Sequence, residues 1–158
     1  MTRIEPADLP SDLAVHNHLV AAVYRNPELF RGFASLSGRV HSGSHLSDRL
    51  RELVVLAVVG HLGAAYEQEQ HEAIAGTRGV TDEEMVALRH GDTTGLPAAD
   101  RIAVEYAIAV ETRTVDDARW AQARGHFSEV ELLDITLLAG FYGLASRLVL
   151  ALAVDLED

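Results

Sequence analysis

The segment Gly60-His61-Leu62-Gly63-Ala64-Ala65-Tyr66-Glu67-Gln68-Glu69-Gln70-His71 decides how this chain folds. Two glycines interrupt a long apolar run. A new segment then carries a carboxylate and an imidazole four residues apart. On a helix that spacing stacks Glu67 and His71 on one face, one turn apart. A carboxylate that fixes and polarises an imidazole is a common acid–base device. Upstream stands Arg49-Leu50-Arg51-Glu52-Leu53-Val54-Val55-Leu56, a buried-type helix with Glu52 inside its apolar run. On one straight helix Glu52 and Glu67 would lie on the order of 22 Å apart, at about 1.5 Å per residue. The expected break at Gly60 to Gly63 lets Glu52 fold back toward the second segment.

Outward from this point the pattern is helical, with no alternating strand signature. Ser47 is the expected cap of the helix before the break, and a helix from about Ala64 to Ala75 follows it, closed by Gly76 and Gly79. Toward the N-terminus, Ser11 is read as the cap of a first helix through Leu13, His16, Leu19 and Val23. Asn26-Pro27 breaks it and places Pro27 at the first position of the next helix. His41-Ser42-Gly43-Ser44 reads as a turn. Toward the C-terminus, Thr81-Asp82-Glu83-Glu84 and Ser128-Glu129-Val130-Glu131 are capping boxes. Asp92 to Pro97 is a loop, a helix with Ile102, Val104, Tyr106 and Val110 follows it, and Thr114 opens the segment holding Trp120. The last helix, about Glu129 to Val154, is apolar over most of its circumference, as in a buried helix. The reading is an all-α, single-domain bundle of about six to eight helices over residues 1–158.

Composition narrows the function. The chain has 158 residues, a net charge of −11 and 48% hydrophobic content, enough for a substantial core. All 13 basic residues are arginine. The chain carries no basic stripe for nucleic acid and no lysine for a Schiff base or P-loop. Cysteine is absent, which excludes thiolate nucleophiles, disulfides and cysteine-ligated metals. Met1-Thr2-Arg3-Ile4-Glu5-Pro6 has no apolar signal core, so a cytoplasmic protein without membrane association is the expectation. A metal is not expected: di-iron helical proteins use Glu-x-x-His, and the residue three before His71 is Gln68. No cofactor is expected either.

In order and spacing, several short pieces resemble the carboxymuconolactone decarboxylase and alkylhydroperoxidase D superfamily. They are Asn26-Pro27-Glu28-Leu29, Leu50-Arg51-Glu52-Leu53-Val54, Gly63-Ala64-Ala65-Tyr66-Glu67 with His71, Gly79-Val80-Thr81-Asp82-Glu83-Glu84, His126-Phe127-Ser128, and Leu137-Leu138-Ala139-Gly140-Phe141-Tyr142 with Arg147. The peroxidase branch has Glu, a Cys-x-x-Cys pair, then His. Here Glu52 and His71 match the outer positions, but Ala64 and Glu67 stand at the cysteine positions, so thiol-based peroxide reduction has no chemistry to run on. The resemblance therefore implies the cysteine-less, decarboxylase-type branch. It implies an alkylhydroperoxidase D-like helical subunit in homotrimers or homohexamers. It also implies a cofactor-independent lyase or isomerase acting on a small carboxylated lactone or related enolisable compound. Its implied catalytic residues are His71 for proton delivery, Glu67 for orienting it and Glu52 for a polarising role. Tyr66 is a candidate oxyanion donor, with Tyr142, Arg51 and Arg147 as further substrate contacts. The family often carries Asn after the tyrosine, where Gly143 stands here.

Each of these residues also has a purely structural reading. Glu67 and His71 could be a helix-surface pair, worth about 0.2–0.5 kcal/mol. Glu52 could pair with Arg49, Arg51 or Arg147. Tyr142 could simply pack. His61 could line the pocket, His126 is a loop histidine, and His16, His18, His41 and His45 show no partner in sequence. Trp120 with Phe127 reads as core. Two other functions fit the same features: a biosynthetic relative with a larger substrate, its pocket widened by Ala64, Ala65 and Gly143, and a non-catalytic oligomeric module.

Overall fold

Ser47 starts the helix around which the others pack. Its hydroxyl accepts a hydrogen bond from the Leu50 amide, which satisfies one of the free N–H groups of the first turn. The helix, α3, spans Asp48–Leu62, and every residue from Glu52 to Val59 is buried. A helix buried on all sides needs apolar partners on all sides. One face, with Val54, Val55 and Val58, packs into a cluster with Ile102, Ala103, Ile135 and Leu138. The other, with Leu53 and Leu56, packs into a cluster with Val80, Leu88 and Val104.

The computed structural model describes residues 2–157; Met1 and Asp158, the two ends of the expected domain, lie outside them. Among the described residues the chain forms eight α-helices and no strand: α1 His18–Val23, α2 Pro27–Ser42, α3 Asp48–Leu62, α4 Ala65–Ala75, α5 Asp82–Arg89, α6 Ala98–Thr112, α7 Asp117–Arg124 and α8 Glu129–Leu152. A single 3-10 turn, Gly76–Arg78, follows α4. α3 packs against α4, α5, α6 and α8, and α8 also contacts α2, α6 and α7. α8 has the length and apolar content of a membrane-crossing helix, but half of that apolar stretch is buried inside the bundle. It serves here as a core helix.

Several helix ends follow their sequence signals. Both capping boxes form, at Thr81 with Glu84 and at Ser128 with Glu131. Pro27 opens α2, with Asn26 capping the Leu29 amide. Others depart. The first helix starts at His18, capped by Asn17, whose side chain accepts from the Val20 amide, and the stretch from Ser11 to His16 is irregular. α2 continues through His41 and Ser42, so the expected turn there begins only at Gly43. The segment expected to open at Thr114 becomes helical only at Asp117, capped by Asp116. Gly60 does not break α3. A side chain there would stand 3.2 Å from the Leu88 carbonyl and 3.3 Å from Gln68 Oε1, so glycine lets α4 and α5 approach closely. The turn is made by Gly63 alone, at φ 67°, a left-handed conformation suited to glycine.

The two ends of the described segment meet. The Arg3 amide donates to the Leu152 carbonyl at 2.7 Å, and the Thr2 amide donates to Asp155 Oδ2 at 2.8 Å.

Candidate active site

Four helices bring one side chain each into a continuous chain of hydrogen bonds. Glu52 comes from α3, His71 from α4, Tyr142 from α8 and His41 from the last turn of α2. His71 Nδ1 lies 2.8 Å from Glu52 Oε2. His71 Nε2 lies 2.7 Å from the Tyr142 hydroxyl, which lies 2.8 Å from His41 Nε2. Glu52, His71 and Tyr142 are buried, and His41 is half-buried.

The proton order follows from what each group can donate. A carboxylate only accepts, so His71 Nδ1–H donates to Glu52. In the neutral imidazole Nε2 is then an acceptor, and the Tyr142 O–H donates to it. The Tyr142 oxygen in turn accepts from His41 Nε2–H. Burial chiefly holds the Tyr142 hydroxyl well above its ordinary pKa, so it stays a phenol. Burial chiefly, with the neighbouring His71 adding to it, lowers His41 from its ordinary value; Glu52 opposes the shift. His41 is thus a neutral imidazole at neutral pH, able to take a proton.

The chain lines a cavity of about 700 Å³. Phe30 and Phe33 of α2, Leu19 of α1, Ile74 of α4 and Phe141 of α8 also line it, and Leu13 to Val15 contribute from the irregular stretch before α1. Arg51, Glu67 and Arg78 line it near the polar chain. Arg51 donates to Asp48 at 2.6 Å and to the Leu46 carbonyl at 3.2 Å, and Arg78 pairs with the same Asp48. The buried Arg51 Nε has no hydrogen-bond partner. Among the described residues, no group of three His, Asp or Glu side chains is placed to hold a metal ion.

The expected arrangement changes in several respects. The carboxylate that fixes His71 is Glu52, nineteen residues away, and not Glu67. Glu67 is buried in the cavity wall, and its Oε1 has no partner. Desolvation pushes its carboxyl pKa up, with His71 opposing. Glu52 does not pair with an arginine, because Arg49 is held by Glu84 and Asp100, Arg51 by Asp48 and Arg147 by Glu111. Tyr66 is buried in the wall, but its hydroxyl donates to Glu157 in the C-terminal tail, so it is not available to a developing oxyanion.

Arg147 is largely exposed, paired with Glu111, and does not line this cavity. Gly143 does not widen the pocket either: a side chain there would overlap the Glu111 carboxylate and come 2.8 Å from Arg147 Nη1. Ala64 and Ala65 line a different cavity, of about 550 Å³, and His61 lines a third. Tyr142, expected as a substrate contact or else a packing residue, lines the cavity and joins two imidazoles.

His41 was the residue sequence reasoning missed. Its signal was present: Phe30, Phe33, Ser37 and His41 fall on one face of α2, and all four line the cavity. Reading His41 into a turn hid that register.

Several solved structures share this fold, among them the following three. An uncharacterised peroxidase-related protein with the alkylhydroperoxidase D core from Ralstonia eutropha JMP134 superposes with a TM-score of 0.87 at 19% identity, covering 99% of this chain and 93% of its own. A protein of unknown function from Agrobacterium tumefaciens gives a TM-score of 0.82 at 19% identity, over 100% of this chain and 99% of its own. The debrominase Bmp8 gives 0.77 at 19% identity, over 88% and 76%. At such identities the likeness establishes the fold. No curated protein matches the sequence. The model of the carboxymuconolactone decarboxylase family matches residues 27–109, more than half of the chain and a span holding His41, Glu52, Glu67 and His71. This chain belongs to the carboxymuconolactone decarboxylase family.

Proposed function

We propose that the protein is a cofactor-independent acid–base enzyme, a carbon–carbon lyase or isomerase resembling 4-carboxymuconolactone decarboxylase, acting at an enolisable carbon. The observation that supports this is the Glu52–His71–Tyr142–His41 chain opening onto the cavity. Decarboxylation of a lactone leaves a carbanion delocalised into the adjacent carbonyl as a dienolate, which must then be protonated on carbon.

The chain supplies a route for that proton. When His41 Nδ1 takes a proton from substrate, its Nε2 proton passes to Tyr142, whose own proton passes to His71 Nε2. The resulting imidazolium lies against the Glu52 carboxylate, where its charge is stabilised. The reverse sequence delivers a proton to carbon. His41 is the group that touches substrate, and Glu52, His71 and Tyr142 act through it.

Proton NMR of the protein with 4-carboxymuconolactone in D2O, with His71→Ala alongside, tests this reading. Loss of the carboxyl group with deuterium placed on carbon, abolished in the variant, is the expected result. Absence of turnover by the wild-type protein removes the decarboxylase assignment. The size and apolar walls of the cavity favour, as a second reading, a relative acting on a larger substrate. A debrominase of this fold has been crystallised as a cysteine-to-alanine variant with 2,3,4-tribromopyrrole.

The same proposal includes a cytoplasmic homotrimer or homohexamer. It is supported by Leu133, Leu137 and Leu144, which are exposed along α8. Light scattering on the purified protein measures the subunit count directly.

A further inference from the structure

Two buried polar atoms, on residues that line the cavity, have no hydrogen-bond partner within the protein. One is Glu67 Oε1, on a residue only 6% exposed. The other is Arg51 Nε. Both residues line the cavity. A buried polar atom left unpaired costs on the order of 1–3 kcal/mol, so atoms of this kind mark a place where a ligand completes the pattern. The surroundings define what that ligand offers. Glu52 is engaged by His71, both Arg51 and Arg78 contact Asp48, and Tyr142 and His41 are engaged by each other. The remaining wall is apolar and aromatic: Leu19, Phe30, Phe33, Ile74 and Phe141.

We infer that the cavity binds a molecule with an apolar body and a carbonyl-bearing head, and that Glu67 donates a carboxylic O–H to that head while Arg51 Nε–H donates to an oxygen of the same head. Arg51 carries a fixed charge and a fixed donor. Glu67 supplies the second donor because its burial favours the neutral form, with His71 opposing; the charged and titratable residues that line the cavity with it are Glu52, His71, His41, Tyr66, Tyr142, Arg51 and Arg78. A carbonyl polarised by two donors has a more acidic neighbouring carbon, which is what a base at His41 requires. The inference rests on the proposed acid–base function for that consequence, and not for binding itself.

Calorimetric titration with 4-phenyl-2-butanone, an enolisable ketone on an apolar body, tests it against butylbenzene, which keeps the body and lacks the carbonyl. The ketone is expected to bind about ten-fold tighter than the hydrocarbon. Glu67→Leu should lose that preference. Glu67→Gln should keep it, because its amide still donates, and should show no loss of binding as pH rises above neutrality, whereas the wild-type protein binds the ketone less well as pH rises and Glu67 ionises. Equal binding of ketone and hydrocarbon overturns the inference, as does a Glu67→Leu variant that binds the ketone like the wild type. Deuterium exchange at the ketone's α-carbons, followed in the same samples by NMR, reports separately on the acid–base reading. Selective binding without exchange defeats that reading alone, and exchange without carbonyl selectivity defeats this one alone.

Discussion

Tyr142→Phe removes one oxygen atom and cuts the hydrogen-bond chain in the middle. The ring stays, so its edge-on contacts with His71 and Phe141, at centroid distances of 4.8 and 5.4 Å, are retained. What is lost is the donor to His71 Nε2 at 2.7 Å and the acceptor for His41 Nε2 at 2.8 Å. His41 is half-buried and can recover a water partner, whereas His71 is buried. The stability cost therefore falls mainly on His71, as one buried unpaired acceptor worth about 1–3 kcal/mol. For a chain of 158 residues each kcal/mol moves Tm by about 2–4 °C, so a fall of about 2–12 °C is expected. Turnover should fall more, by about 10²–10⁴, because the proton held at His41 no longer reaches the Glu52–His71 pair. Thermal unfolding and steady-state rates on the same preparation separate the two effects. A variant with wild-type rates and an unchanged pH profile would show that Tyr142 transmits no proton, and the relay argument would fail.

Three further outcomes are expected. Glu67→Gln should flatten the pH dependence of stability. A carboxyl raised in the fold contributes stability that is present below its unfolded value of 4.5 and lost as pH rises through the folded value, so the variant should match or exceed the wild type at neutral pH in chemical denaturation. His41→Phe should remove the opposite dependence. A lowered histidine contributes stability that is present above 6.5 and lost as pH falls through its folded value, so the wild type should lose more stability than the variant on acidification. Gly143→Ala gains about 1 kcal/mol of helix propensity but displaces the Glu111 carboxylate from Arg147, leaving a mostly buried charge unpaired; a net loss of about 1–2 kcal/mol in urea unfolding is expected, and a gain would show that Glu111 swings clear.

The two capping boxes, Pro27 and the turn at Gly63 were legible in the sequence because each depends on residues within four positions of one another. The site was legible only in its parts. Glu67 and His71 are four residues apart, and proximity in sequence suggested that one orients the other. The partner is Glu52, because the left-handed turn at Gly63 folds α4 back along α3 and brings the two side chains together across nineteen residues. His41 and Tyr142 are 101 residues apart, and their contact is a product of α2 packing on α8. Nothing local to either residue encodes it. Ser11 carried the chemistry of a helix cap, but Asn17 occupies that place, and the residues between line the cavity instead of continuing a helix.

The meeting of these two ends has a use in protein engineering. With the Thr2 amide 2.8 Å from Asp155 Oδ2, a short peptide could join residues 2 and 157 with little change of path. New termini could then be opened at Thr94 and Gly95, which are exposed in the loop before α6 and distant in sequence from every residue of the relay. Such a circular permutant would close covalently the seam now held by Arg3, Leu152, Thr2 and Asp155. The tail residue Glu157, which receives the Tyr66 hydroxyl, would become part of an internal loop beside the cavity. The length of that joining peptide would then be a dial for tightening or loosening one wall of the pocket without altering any side chain inside it.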